Sequence, residues 1–106
     1  MPIIVTDENF EKEIQKMEKI SLVDFYATWC DPCSMLAPIL EKLEKEFEEK
    51  IVLLKANVDD NQQNAQKFQV DRIPMVVLFK NGKPVGSFTG FRPEADIKEW
   101  LEKNIQ

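Results

Sequence analysis

The run Leu22-Val23-Asp24-Phe25-Tyr26-Ala27-Thr28-Trp29-Cys30-Asp31-Pro32-Cys33 passes from an apolar segment straight into two cysteines separated by two residues. Residues 22–26 are apolar at nearly every position, the pattern of a strand covered on both faces, with Asp24 the single interruption. Beyond the cysteines, Leu36, Leu40, Leu43 and Phe47 recur at helical spacing, and Glu41 with Lys45 and Glu46 with Lys50 supply favourable pairs four apart on the wet side. A helix beginning near Cys33 follows. Cys30 then falls at a helix N-terminus, where unpaired backbone N–H groups and the helix dipole favour an anion. The thiolate is the attacking species in disulfide exchange. A second sulfur two residues on can reach the first, resolve a mixed disulfide and leave an intramolecular disulfide behind.

The same spacing is also half of a zinc site. The chain carries two cysteines and no histidine, so a four-ligand nitrogen and sulfur site would need a second chain, and no metal site is expected. Ser34 stands where a c-type haem motif requires histidine. Nor does the pair read as a structural staple, since a bridge closing four residues contributes only about 2 kcal/mol by chain entropy before strain.

Outward from the motif, short apolar runs alternate with amphipathic stretches, and no linker, repeat or low-complexity tract interrupts them. Residues 3–5 read as a strand, and Thr6 or Asp7 can cap a helix carrying Phe10, Ile14 and Met17 on one face. Residues 51–58 read as a third strand, and Asn61 as the cap of a short helix toward Phe68. Residues 75–79 are a fourth strand. The Asn81-Gly82 pair predicts a tight hairpin into the region of Val85 to Thr89, and Pro93 opens a last helix with Ile97, Trp100, Leu101 and Ile105 on its apolar face. The order βαβαβαββα predicts an α/β protein with a mixed sheet, helices on both faces, and a single domain over residues 1–106.

Composition narrows the function classes. A chain of 106 residues with 43% hydrophobic content can bury one core unaided. Both charge signs are interspersed and the net charge is -5, so no basic field exists to hold nucleic acid. No apolar stretch is long enough to span a membrane. The first ten residues lack the basic and apolar segments of a secretory signal, and the expectation is a cytoplasmic protein.

Several separated motifs resemble the thioredoxin family over nearly the whole chain. Residues 23–33 resemble its active-site strand and loop, Ala37-Pro38-Ile39-Leu40 follows at the family distance, and Ile73-Pro74 resembles its cis-proline step. Phe79-Lys80-Asn81-Gly82 and Gly90 match later family positions. The resemblance implies the thioredoxin fold, a five-stranded mixed sheet flanked by four helices with the dithiol exposed at one end. It implies a thiol-disulfide oxidoreductase of cell redox homeostasis that reduces protein disulfides, with Cys30 as nucleophile and Cys33 as buried resolving thiol. Asp24 would be a buried acid/base with Lys55 beside it. Trp29, Ile73, Pro74, Gly90 and Phe91 would surround the dithiol as a shallow apolar patch, on which an extended substrate could pair with the Ile73 backbone as an added strand. The implied cofactor is the redox-active Cys30–Cys33 disulfide alone. The implied partners are a thioredoxin reductase and disulfide-containing protein substrates, met by a monomer.

Read without the family, these residues leave alternatives open. A carboxylate in an apolar strand tends to a raised pKa suited to proton transfer, yet Asp24 could also be satisfied by neighbours or reach solvent at the strand end. Lys55 is equally an ordinary solvated strand residue, Pro74 alone would be trans, and Trp29 or Phe91 could be partly core. The chain also departs from the common family pattern. Asp31 stands in place of glycine, Ser34 of a basic residue, Tyr26 of tryptophan and Met75 of threonine. Asp31, with Pro32, is therefore expected to tune the redox potential.

Overall fold

Side-chain alternation along the central strand organises the molecule: Leu22 enters one hydrophobic cluster, while Val23 and Phe25 enter another. The computed structural model describes residues 2–16 and 18–105. The elements run β1 (Ile3–Val5), α1 (Phe10–Lys16), β2 (Ile20–Tyr26), α2 (Asp31–Glu46), β3 (Ile51–Asn57), a 3-10 turn (Val58–Asp60), α3 (Gln62–Lys67), β4 (Met75–Lys80), β5 (Lys83–Thr89) and α4 (Glu94–Asn104). This is the expected βαβαβαββα order with its five strands and four helices. In space the strands lie β1-β3-β2-β4-β5. β1, β3 and β2 are mutually parallel, whereas β4 runs antiparallel to both β2 and β5. With neighbours on both edges and helices over both faces, β2 is apolar at almost every position, as its sequence requires.

α2 and α4 cover the Leu22 face, where Leu36, Leu40 and Leu43 meet Leu53, Leu78, Ile97 and Leu101. α1 covers the opposite face through Phe10 and Ile14. Phe68, at the end of α3, joins Phe10, Phe25 and Phe79 there, with centroids 5.6 Å from Phe10 and 5.2 Å from Phe79. Edge-on and tilted ring pairs of this kind add to the stabilisation from burial. Asn81 and Gly82 at the β4–β5 hairpin both have positive φ, 54° and 78°, which is what a tight turn matching strand twist demands. No helix among the described residues is long and apolar enough to cross a membrane.

α2 begins at Asp31 and so places Cys30 at the helix N-terminus as expected, with Pro32 in the first turn and the Cys30 sulfur accepting the Cys33 N–H. Two local expectations are corrected. Asn61 precedes α3 without capping it through its side chain, since its buried amide donates instead to the carbonyls of Val5 and Asn57 at 2.9 and 2.8 Å. Asp7 takes over that task rather than capping α1, as its carboxylate accepts the N–H groups of Gln63 and Asn64 at 3.1 and 3.0 Å. Thr6 serves the turn before α1, accepting from the Glu8 N–H at 3.3 Å. The contribution of Met17 to the α1 face lies outside the described residues.

Candidate functional site

β2 delivers the chain to the top of α2, and there the first cysteine takes the N-cap position with φ -104° and ψ 109°. Its sulfur accepts the Cys33 N–H at 3.3 Å, so one of the unpaired donors of the helix start is spent on sulfur. Cys30 and Cys33 form a disulfide with their Cα atoms 5.3 Å apart. The expected division of exposure holds only in rank. Cys30 is 8% exposed and Cys33 3%, so both residues are largely covered in the disulfide form, the first less completely.

Ala27, Cys30 and Cys33 form a small buried cluster against which Tyr26, Val58 and Ile73 pack. Ile73 therefore comes to the dithiol from a loop distant in sequence. The Ile73–Pro74 peptide is cis, as the family resemblance implied and as the proline read alone did not. The Gly90 N–H donates to the Pro74 carbonyl at 2.8 Å and Gly90 has φ 83°, a conformation that disfavours any side chain there. That bond fixes the segment carrying Phe91 beside the proline loop. Trp29 is 69% exposed and Phe91 41%, so neither is core. Of the expected patch, Ile73 packs on the cysteine cluster, Pro74 follows it and is bonded to Gly90, Phe91 follows Gly90, and Trp29 precedes Cys30 in the chain, while Asp31 is exposed in the first turn of α2 with Pro32 next to it.

Asp24 and Lys55 form a second group within the sheet. They are register partners on β2 and β3, and the Lys55 ammonium donates to Asp24 Oδ2 at 2.6 Å. Asp24 is fully buried and its Oδ1 has no hydrogen-bond partner. Burial pushes its carboxyl above the usual carboxylate range, and the Lys55 charge and hydrogen bond only partly oppose this. By strand alternation Asp24 shares the face of Leu22, which α2 covers, and Cys33 is a buried residue of α2. Oδ2 accepts from Lys55 and Oδ1 from no group, so neither oxygen is hydrogen-bonded to a cysteine, and the pair stands outside the cysteine cluster. The reading of Lys55 as a solvated strand residue is overturned, its side chain being 11% exposed.

Two neighbours escaped the sequence reading. Val58, just past β3, packs on the cysteine cluster, and Tyr26, noted only as a departure, packs there too while Lys55 sits 4.5 Å from its ring centroid. Nothing in a lone valine after a strand signals such a contact. Met35, two residues past Cys33, is 58% exposed and was likewise not singled out. Among the described residues no cluster of three or more histidine, cysteine, aspartate or glutamate side chains is assembled to hold a metal ion.

A four-helix, five-strand mixed α/β fold with a disulfide closed over two residues at a helix start defines a dithiol-disulfide oxidoreductase. The thioredoxin family model matches residues 1–103. Similar curated proteins include thioredoxins of Staphylococcus saprophyticus and Staphylococcus haemolyticus, each 46% identical over 101 residues, and of Staphylococcus aureus, 43% identical over 101 residues, with 95% of both chains covered in every case. The chain belongs to the thioredoxin family. Its activity is thioredoxin-type reduction of protein disulfides by dithiol-disulfide exchange at Cys30 and Cys33. Thioredoxin is itself a reference case for the lowering of a cysteine pKa at a helix start.

Proposed function

We propose that this chain is a general cytoplasmic protein-disulfide reductase, acting as a single-domain monomer and returned to its dithiol form by a thioredoxin reductase. The observation that carries the reading is the Cys33 N–H aimed at the Cys30 sulfur, a donor that stabilises negative charge on the first sulfur and not the second. Cys30 thiolate attacks one sulfur of a substrate disulfide, forming a mixed disulfide and releasing the first substrate thiolate. Cys33 then gives its proton to Asp24 and attacks the Cys30 sulfur, releasing the second substrate thiolate and closing the Cys30–Cys33 disulfide. The substrate gains two electrons and the dithiol loses two. Lys55 steadies the ionised Asp24. Trp29, Ile73, Pro74, Gly90 and Phe91 hold the substrate segment, with the Ile73 backbone available to an extended chain.

The reducing direction needs a reducing compartment, which favours the cytoplasm. Both sulfurs come from one chain, so the cycle asks for no second copy. The test is NADPH-coupled turnover of a protein disulfide such as that of insulin with a bacterial thioredoxin reductase, together with a glutathione redox equilibrium. Turnover with a potential below the cytosolic poise is expected; a potential well above it would assign the chain to oxidation or isomerisation instead.

Asp31 supplies a further check. Its carboxylate is next to Cys30 in sequence and disfavours the thiolate, while the helix dipole is common to wild type and variant and cancels between them. Asp31→Gly is expected to lower the Cys30 pKa and raise the reduction potential, since a more stable thiolate makes a more stable reduced form. Thiolate absorbance titrations at low and high salt measure this, and the difference should shrink as salt screens exposed charge. An unchanged Cys30 pKa would assign the tuning to backbone geometry.

A further inference from the structure

We propose that Tyr26 is a positioning residue for the thiol chemistry, its ring holding the Lys55 ammonium on the Asp24 carboxylate. The inference rests on the reading of Asp24 as the group that takes the Cys33 proton. Tyr26 lies two residues beyond Asp24 on β2, so both side chains belong to the sheet face covered by α2. Asp24 is in register with Lys55 and Tyr26 with Asn57, which makes Tyr26 and Lys55 diagonal neighbours across the two strands. Lys55 Nζ is 4.5 Å from the Tyr26 centroid and 2.6 Å from Asp24 Oδ2. Tyr26 also packs on the Ala27, Cys30 and Cys33 cluster. One residue therefore meets both the counter-ion of Asp24 and the cluster that contains the dithiol.

The contact matters because of where Lys55 could otherwise go. With 11% of its side chain exposed, the lysine has a route to water, and hydration of its ammonium competes with the ion pair. An aromatic face replaces part of that hydration without leaving the site. The flanking strands offer the pair no further charged group. On the other flank of Asp24, β4 presents Val76, and on the other flank of Lys55, β1 presents Ile4. α4 sends Ile97 and Leu101 to this face. α2 contributes Cys33 and Glu44, and the Glu44 carboxylate accepts the Leu53 N–H on β3 at 2.7 Å. Among the described residues, Lys55 is the only cation paired with Asp24.

Without the ring, Lys55 turns outward and the buried carboxyl keeps its proton to higher pH. The aromatic face and not the hydroxyl does this, so Phe and Trp substitute for Tyr and aliphatic side chains do not. The experiment follows the Asp24 carboxyl by NMR titration in the disulfide form, where neither cysteine titrates. Tyr26→Leu should raise its midpoint by about half a pH unit or more. Tyr26→Phe and Tyr26→Trp should leave it close to wild type, and adding Tyr26→Leu to Lys55→Met should move it no further than Lys55→Met alone. If Tyr26→Leu does not fold, Tyr26→Met, a flexible apolar side chain, carries the same expectation. A midpoint unmoved by loss of the ring, or moved equally with and without Lys55, overturns the proposal. Single-turnover resolution measured on the same variants separates it from the reading of Asp24: a carboxyl midpoint that shifts while the pH dependence of resolution does not upholds Tyr26 as the clamp and removes Asp24 from the proton path.

Discussion

Cys33→Ser is expected to abolish multiple turnover and to accumulate mixed disulfides with its substrates, while Cys30→Ser yields none. Attack from Cys33 is intramolecular, with the two Cα atoms 5.3 Å apart in the closed bridge. Well-oriented intramolecular steps reach effective molarities on the order of 10⁵ M, which millimolar external thiol does not match. Removing the second sulfur therefore strands the adduct on the first. The asymmetry is built into the start of α2, where the backbone N–H of Cys33 points at the Cys30 sulfur. Exposure supports the same order, since 8% of Cys30 remains accessible against 3% of Cys33. The measurement is thiol-trapping electrophoresis of each variant with a disulfide-bonded substrate, resolved by mass. Equal trapping by both variants would reverse the assignment of roles.

The second large effect is expected from Asp24→Asn, and it is read in two ways. A positioned base typically contributes on the order of a hundredfold or more, so the resolving step should slow by about that factor near neutral pH while first attack by Cys30 is largely preserved. Stability should move the other way. Burial holds the Asp24 carboxyl above its ordinary range, so the folded chain binds this proton more tightly than the unfolded chain does. The stability owed to that proton is complete below the unfolded pKa and is lost as pH rises through the folded one. The amide that replaces the carboxyl does not ionise. The variant should therefore gain little at acid pH, gain progressively as pH rises through the raised Asp24 value, and hold a constant advantage above it. Lys55, left without its carboxylate, keeps the Tyr26 ring at 4.5 Å and a path to solvent. Denaturant unfolding across pH, with single-turnover resolution on the same samples, checks both arms. A pH-independent stability difference together with unchanged resolution would make Asp24 a structural residue.

Much of this architecture was legible because its signals are local. The Leu36, Leu40 and Leu43 spacing marks α2 whatever surrounds it, and Asn81-Gly82 dictates its turn through its own backbone freedom. The corrected caps show the limit. Asp7 and Asn61 each carry the right chemistry for an N-cap, but Asp7 serves α3 from 56 positions away while Asn61 ties β1 to the end of β3. A capping side chain satisfies whichever N–H groups the packing brings to it, and nothing in its immediate sequence names them.

The site divides along the same line. Sequence alone determined the paired sulfurs, their place between a buried strand and a helix, and the lack of enough cysteine and histidine in one chain for a four-ligand nitrogen and sulfur site, because spacing and residue count are properties of the chain itself. Only the tertiary structure decided that Ile73 packs on the cysteine cluster, that Gly90 is bonded to the proline loop, and that Lys55 meets Asp24 inside the sheet rather than water. It also decided that Tyr26, a departure from the family pattern in sequence, is the ring against Lys55. These contacts join residues far apart along the chain, and their energies depend on burial and on which strands are neighbours. Strand order is set by how the two faces of the sheet are covered by helices, a choice made by the whole chain at once and not by any of its segments.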